Sequence, residues 1–391
     1  MTQQGPSAAQ VPIAAARPAR TLRVLMAHWD GGGNIPPQRA LARELKRRGH
    51  EVHVLTHDTL ASAVAADGGA FHPVRDLDQW DPARPRSQDE EVDYIMRHVC
   101  GSPAFAAALL ATYERLSPDV CLIDAMLLST LAGAVERGLP CAAVNHLAWN
   151  PEAGVVAFLS SISASLPGRA AGSNFLGLLE SAPLVLATTY REFGAAAVAP
   201  PHVRFVGPIR EAVAPASWPR RFADRPLVLV SLSSVFQAQN ATLRNICDAL
   251  ASLPVEVLVT TGRSVQPQML PHSESIEARQ FVPHDAVLPH VDLIVTHAGL
   301  GTLMYGAGAG APCLCLPQGR DQNDNAARIV ELGLGRALPP DAAPQTIREA
   351  VAAVLRDDAL RARCRAFAAG VSRFGDLQGA GDLVVNLARA K

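Results

Sequence analysis

The stretch from Val291 to Asn325 narrows the choice of fold more than any other part of this chain. It opens with Val291-Asp292-Leu293-Ile294-Val295, a run apolar enough to be a central strand of a parallel sheet. His297 comes directly off that run, and Gly299 and Gly301 then let the backbone pass close to a ligand. Thr302 reads as a cap for a helix running through Leu303 and Met304, whose first N–H groups are left free for anionic oxygens. A second strand is expected from Pro312 to Leu316, closed by Pro317. Asp321, Gln322 and Asn325 then sit on the next loop and helix start, where they offer acceptors and donors to a hydroxyl-bearing ring. The whole is an anion cradle beside a patch that grips hydroxyls.

The same alternation fills the rest of the chain. Leu22 to Ala27 reads as a strand, Gln38 to Arg48 as an amphipathic helix ended by Gly49, and Glu51 to Leu55 as the next strand. Val120 to Ile123 and Cys141 to Val144 read as buried strands, with Leu127 to Arg137 a helix between them. This βαβ rhythm implies a parallel sheet with right-handed crossovers. Near Gly207 the character changes, and GPIREAVAPASWPRRFADRP is proline-rich and aperiodic, as a linker would be. A fresh alternation starts at Leu227 and continues through Val255 to Val259, Leu293 to Val295 and Cys313 to Leu316. The expected organisation is a disordered tail (1–20), an α/β domain (21–208), a linker (209–226), a second α/β domain (227–376) and a C-terminal segment (377–391) with a helix from about Gly381 to Ala390.

Composition limits the partners. A chain of 391 residues suggests about two domains, and 49% hydrophobic against 18% charged residues is ample material for two cores. A net charge of −1 argues against a nucleic-acid partner or an anionic membrane surface. No apolar run approaches the roughly 20 residues of a membrane span. The first residues, MTQQGPSAAQVPIAAARPAR, lack a basic start followed by an apolar core and read as a tail rather than a signal peptide. The seven cysteines lie mostly in apolar runs and never as Cys-x-x-Cys. Cys313 and Cys315 face one side of a strand and read as small hydrophobes. Cytoplasmic localisation is the expectation.

His297, Gly299, Gly301, Thr302, Gly310, Pro312, Asp321, Gln322, Asn325 and Ala326 closely resemble, in order and spacing, the donor signature of family 1 glycosyltransferases of the bacterial natural-product type. The resemblance covers most of residues 22–390, specific in the second half and divergent in the first. It implies the GT-B fold, two Rossmann-like domains facing across an interdomain cleft, with the final helix crossing back onto the first domain. The implied activity is transfer of a hexose or deoxyhexose from a nucleoside diphosphate to a hydrophobic natural product, with inversion at the anomeric carbon. Donor and acceptor are then the partners, no cofactor beyond the nucleotide-sugar co-substrate is implied, and a homodimer is left open.

Residue by residue, the resemblance makes His297 a donor to the diphosphate, Ser233 and Ser234 further diphosphate contacts, and Asp321, Gln322 and Asn325 the sugar contacts. Phe281-Val282-Pro283-His284 resembles the family's Trp-x-Pro-Gln element, so Phe281 would stack on the nucleobase and Val282 read its edge; taken alone, Phe281 reads as core. Uridine-using members often place Glu at the position of Tyr305, where it binds both ribose hydroxyls. Tyr305 cannot make that contact, which favours dTDP-sugars over UDP-sugars. No Asp-x-Asp stands where a metal-dependent transferase would use one, so metal independence is expected, with helix dipole and imidazole replacing the cation.

The family's catalytic histidine belongs in the first βα loop. Here that loop is His28-Trp29-Asp30-Gly31-Gly32-Gly33-Asn34-Ile35-Pro36-Pro37, which puts Gly32 at the base position and Asn34 at a second histidine. Three candidates remain for the base. Asp30 is the nearest carboxylate, and the glycines after it permit a turn that aims it inward. Asp124 matches the aspartate that pairs with the missing histidine, and would orient His28 or act directly. On the acceptor side Trp29, His146 and Trp149 follow strands and should face the cleft, with Gly154 to Leu166 a helix walling the pocket. A catalytically degenerate nucleotide-binding subunit, a same-fold sugar-nucleotide epimerase and a lipid-linked sugar transferase are the alternatives.

Overall fold

In the computed structural model the described residues are 20–75, 77, 81, 84–166, 174–194, 199–209, 218–263, 265–271, 273–371 and 377–390. The expected tail, Arg20 excepted, and residues 210–217 of the expected linker lie outside them. The first sheet is built from β1 (Arg23–Ala27), β2 (Glu51–Thr56), β3 (Ala70–Pro73), β4 (Val120–Asp124), β5 (Cys141–Asn145), β6 (Leu184–Ala187) and β7 (Val203–Phe205). The second contains β8 (Leu227–Ser231), β9 (Glu256–Thr260), β10 (Ile276–Arg279), β11 (Leu293–Thr296), β12 (Cys313–Cys315) and β13 (Gly335–Ala337). The orders are β3-β2-β1-β4-β5-β6-β7 and β10-β9-β8-β11-β12-β13, with every pairing parallel. These are two Rossmann-like halves.

Strands such as Val120–Asp124, Leu227–Ser231 and Leu293–Thr296 are buried along their whole length, because helices cover both faces of each sheet. The first sheet has a core on each face, one around Phe105, Leu131 and Phe175, the other around Leu41, Leu45 and Val144. The first helix starts at Ile35 rather than at Gln38, and takes Pro36 and Pro37 into its first turn, where no N–H is needed.

The last helix, Leu377–Arg389, starts earlier than the sequence pattern suggested. It lies on the first half of the molecule, where Ala380, Val384 and Ala388 join the core beside Leu41 and Leu45. Arg48 Nη1 donates to Asp382 Oδ1 at 2.6 Å across that contact. Arg220 and the Arg221 backbone bind the Glu256 carboxylate at 2.8 and 2.9 Å, which fixes the approach to the second sheet. No helix among the described residues is long and apolar enough to cross a membrane.

Candidate active site

Each sheet reverses its winding once, between β1 and β4 and between β8 and β11. The loops leaving the carboxyl ends there diverge to opposite faces and open a crevice, the usual ligand position in such sheets. The segment His28–Gly33 leaves β1, Asp124 ends β4, Ser231 ends β8, and His297 follows β11. The two crevices meet: a Cβ built on Gly32 would lie 2.7 Å from Val235 Cγ1 and 3.5 Å from Ser234 Oγ.

On the second half, the chain turns sharply after β11 through Ala298, which has a φ of 66°. Gly299 is required by a neighbour, since a Cβ there would sit 2.4 Å from His297 Nε2. The helix Leu300–Ala309 begins straight after Gly299, and no side chain caps it. Thr302 therefore lies inside the first turn and is not the cap expected from sequence, because the helix starts two residues earlier. The free amides of that turn and the positive end of the dipole form the cradle. Burial, with Arg320 nearby, lowers the His297 pKa to about 4 against a hydrogen bond with the Ser231 backbone, so at neutral pH the ring is uncharged.

Opposite, Ser233 Oγ accepts from Val235 N at 3.2 Å, while Gln239 clamps the Ser233 backbone through bonds of 3.2 and 2.8 Å. Ser234 is exposed beside Gly32 and Gly262. Phe281 is 78% exposed, so it is not the core residue that its apolar character alone suggests. Val282 beside it is buried.

Asp321, Gln322 and Asn325 come together at the start of the helix Gln322–Glu331. Asn325 Nδ2 donates to Asp321 Oδ2 at 2.8 Å and to Ala298 O at 3.1 Å, tying this loop to the cradle. Gln322 accepts from Gln318 N at 2.7 Å and donates to Gln237 at 2.8 Å. Burial raises the Asp321 pKa.

The first half presents a buried polar cluster. Asp124 is fully buried; Asn34 Nδ2 donates to its Oδ2 at 2.7 Å and Met126 N to its Oδ1 at 2.9 Å. His146 Nε2 stands 3.8 Å from the same carboxylate and 3.2 Å from Gln38 Nε2, and its Nδ1 meets Thr188 Oγ1 at 3.1 Å. Burial lifts Asp124 to a pKa of about 6 and lowers His146 to about 3. His28 is not oriented by Asp124, contrary to the sequence expectation: its Nδ1 lies 3.3 Å from Thr56 Oγ1, and the ring borders a hollow shared with Gln38. Burial and the neighbouring His146 and His57 lower it to about 3.

Asp30 lies on the loop after β1 and accepts from Thr59 Oγ1 at 2.9 Å. Burial raises its pKa, and the Thr59 bond and Arg263 of the second half oppose that rise. Gly32, at the expected base position, has a φ of 87° and no room for a side chain against Val235. Trp29 and Trp149 belong to the core around Phe105 rather than to a pocket wall, because both strand-end loops fold their indoles inward. His146, partly exposed, is tied to Gln38 and Thr188 beside Asp124.

Sequence reasoning missed Thr59, Gln38 and Arg263, and Asp324 and Arg328 as bridges between the halves. Asp324 accepts from Gly154 N and Val155 N, and Arg328 donates to the carbonyls of Glu192, Phe193 and Gly194. Asp324 and Arg328 alone had a visible signal, an acidic residue in the first turn and a basic one in the last turn of one helix. Among the described residues, no three or more His, Cys, Asp or Glu side chains are grouped to hold a metal ion.

Residues 244–372 match the family described as erythromycin biosynthesis protein CIII-like, C-terminal domain. The chain is 27% identical over 388 residues to demethyllactenocin mycarosyltransferase of Streptomyces fradiae, covering 91% of this chain and 84% of the relative. Its fold is similar to that of CalG4, the calicheamicin glycosyltransferase, with a TM-score of 0.78 at 24% identity, covering 94% of this chain and 98% of that one. It is also similar to glycosyltransferase VinC, solved in complex with dTDP, with a TM-score of 0.69 at 21% identity over 95% and 100% of the two chains.

Proposed function

Starting from a chain that is a GT-B glycosyltransferase of the antibiotic-biosynthesis type, we propose that it moves a hexose or deoxyhexose from a dTDP-sugar to a hydrophobic acceptor, with inversion and without a metal. The observation that carries this reading is the uncapped start of the helix Leu300–Ala309 beside the neutral His297, in the crevice between β8 and β11. Amides and an uncharged imidazole there would take up the charge of a departing diphosphate as the bond from anomeric carbon to phosphate oxygen breaks. Asp321 and Gln322 would hold the sugar, with Asn325 fixing their loop. Phe281 would stack on the base.

The acceptor oxygen attacks the anomeric carbon from the face opposite the leaving group, and its proton passes to a carboxylate. Asp30 is the proposed base. It sits at the mouth between the halves, Thr59 holds it, and its raised pKa suits proton uptake nearer neutrality. The helix Gly154–Ser165, which presents Phe158, would wall the acceptor side.

Two points support dTDP as the nucleotide. Tyr305, packed against the second core, offers no carboxylate to a ribose 2′-hydroxyl, and the similarly folded VinC was solved with dTDP. Calorimetric titration with dTDP and UDP tests this directly. Binding of dTDP at least as tight as UDP is expected; UDP binding tenfold tighter would end it. Release of dTDP from a dTDP-sugar across a panel of aglycones then tests turnover.

A further inference from the structure

Asp324, which lies between Gln322 and Asn325, does not face its own loop. Its Oδ1 accepts from Gly154 N at 3.1 Å and its Oδ2 from Val155 N at 3.0 Å, across 170 and 169 residues of chain. Those are the first two amides of the helix Gly154–Ser165, whose N-cap residue Ala153 supplies no side-chain bond. The first intrahelical bond there belongs to Ala157 N, so the amides before it need partners from elsewhere. Asp324 also lies in the first turn of its own helix, Gln322–Glu331. One carboxylate thus sits at the positive ends of two helices, one in each half of the molecule.

The neighbouring contacts run the same way. One turn further on, Arg328 donates to the carbonyls of Phe193, Glu192 and Gly194 at 3.0, 2.9 and 2.9 Å. Arg320, just before Asp321, pairs with Glu91 of the first half. The segment that is to hold the sugar is therefore bonded to three separate elements of the first half.

We infer that Asp324 is a positioning residue: it caps, from the donor loop, the helix that walls the acceptor side, so that seating a donor and ordering that wall are coupled. The inference rests on the donor and acceptor assignments made above. Coupling between two sites is reciprocal, so an ordered wall also favours the donor-bound loop.

Amide hydrogen exchange of the full chain tests it, with dTDP as the probe. In the unliganded protein, exchange across residues 154–158 should be about tenfold faster in Asp324→Ala than in the wild type. Asp324→Asn, which keeps one acceptor oxygen, should fall between them. The dTDP affinity of both variants should stay within threefold of wild type, and added dTDP should slow exchange at 154–158 in the wild type but not in Asp324→Ala.

Gly154→Pro approaches the same contact from the other side. Ala153 already has a φ of −65° and a ψ of 140°, which a following proline accepts, and proline suits the first helical position. Its effect on Val155 exchange should be less than additive with Asp324→Ala. Equal exchange in wild type and Asp324→Ala overturns the inference, as does additivity. A tenfold loss of dTDP affinity in Asp324→Ala would place the residue in the donor site instead. If dTDP does not bind the wild type at all, the donor assignment falls and the coupling with it, whereas the comparison of unliganded proteins still decides the cap.

Discussion

Asn34 Nδ2 donates to Asp124 Oδ2 at 2.7 Å, joining residues 90 positions apart. The same amide also donates to the Trp29 carbonyl at 2.9 Å, so it pins the loop after β1 to the end of β4. The family resemblance sets a histidine against this aspartate. Here an amide that cannot take a proton occupies the contact, and through it Asp124 holds the loop in place.

Asp124 has a clear pH signature. Burial raises its pKa from 3.8 to about 6, and the bonds from Asn34 and Met126 pull against that rise. Between those values the folded state holds a proton that the unfolded chain has lost. The stability it contributes is therefore present at low pH and is lost as pH rises through about 6. A shift of this size corresponds to about 3 kcal/mol at most. Asp124→Asn removes the titration, so the stability difference between wild type and variant should shrink between pH 4.5 and 7.5. Denaturant unfolding at both pH values measures it; a pH-independent difference would contradict the assignment.

Asp30 is testable through its neighbour. Asp30→Asn should lower kcat by about 10²–10⁴ while leaving the fold intact. Thr59→Val removes a hydrogen bond that lowers the Asp30 pKa, so the limb of kcat/KM that rises with pH should move to higher pH. Full turnover in Asp30→Asn removes this residue from consideration. Gly32→His should not restore activity to Asp30→Asn, because a φ of 87° and the contact with Val235 leave the side chain nowhere to go.

Which of these features the sequence revealed follows from how far apart the partners are. The run from β11 through Asn325 was legible because strand, turn, helix start and polar loop succeed one another locally. The pairs Asn34–Asp124 and Asp324–Gly154 were not, since each depends on how distant segments meet. Trp29 and Trp149 follow strands, as expected, but which way a loop turns its indole is set by the packing beneath it. Short strands such as Ile276–Arg279 and Gly335–Ala337 carry no apolar run to betray them, and are strands because a buried neighbour offers an edge. Thr302 looked like a cap because its residue type fits; Gly299 starts the helix because only glycine fits under His297.

That last contact yields a further prediction. Gly299→Ala would place a methyl 2.4 Å from His297 Nε2, so the imidazole must move off the cradle. Gly299→Ala and His297→Ala should each weaken dTDP binding by about 1.5–3 kcal/mol, the usual worth of a hydrogen bond to a charged group. Together they should do little more than either alone, since both remove the same donor. With the His297 pKa near 4, wild-type affinity should be flat between pH 7 and 9. Calorimetry on the double-mutant cycle reads this, and strict additivity would separate the two residues.

Phe281 separates binding from stability most cleanly. An aromatic ring 78% exposed contributes little to the core, so its removal should leave the melting temperature nearly unchanged. Val282, buried beside it, and Pro283, at the start of the next short helix, hold the backbone that presents the ring. If the base stacks there, Phe281→Ala should weaken dTDP binding by about 1–3 kcal/mol, and Phe281→Trp should restore it. Inorganic pyrophosphate has no base to stack, so its affinity should not respond to either change. Unaltered dTDP affinity in Phe281→Ala would move the base elsewhere, and a parallel loss of pyrophosphate binding would mean that the substitution had disturbed the cradle.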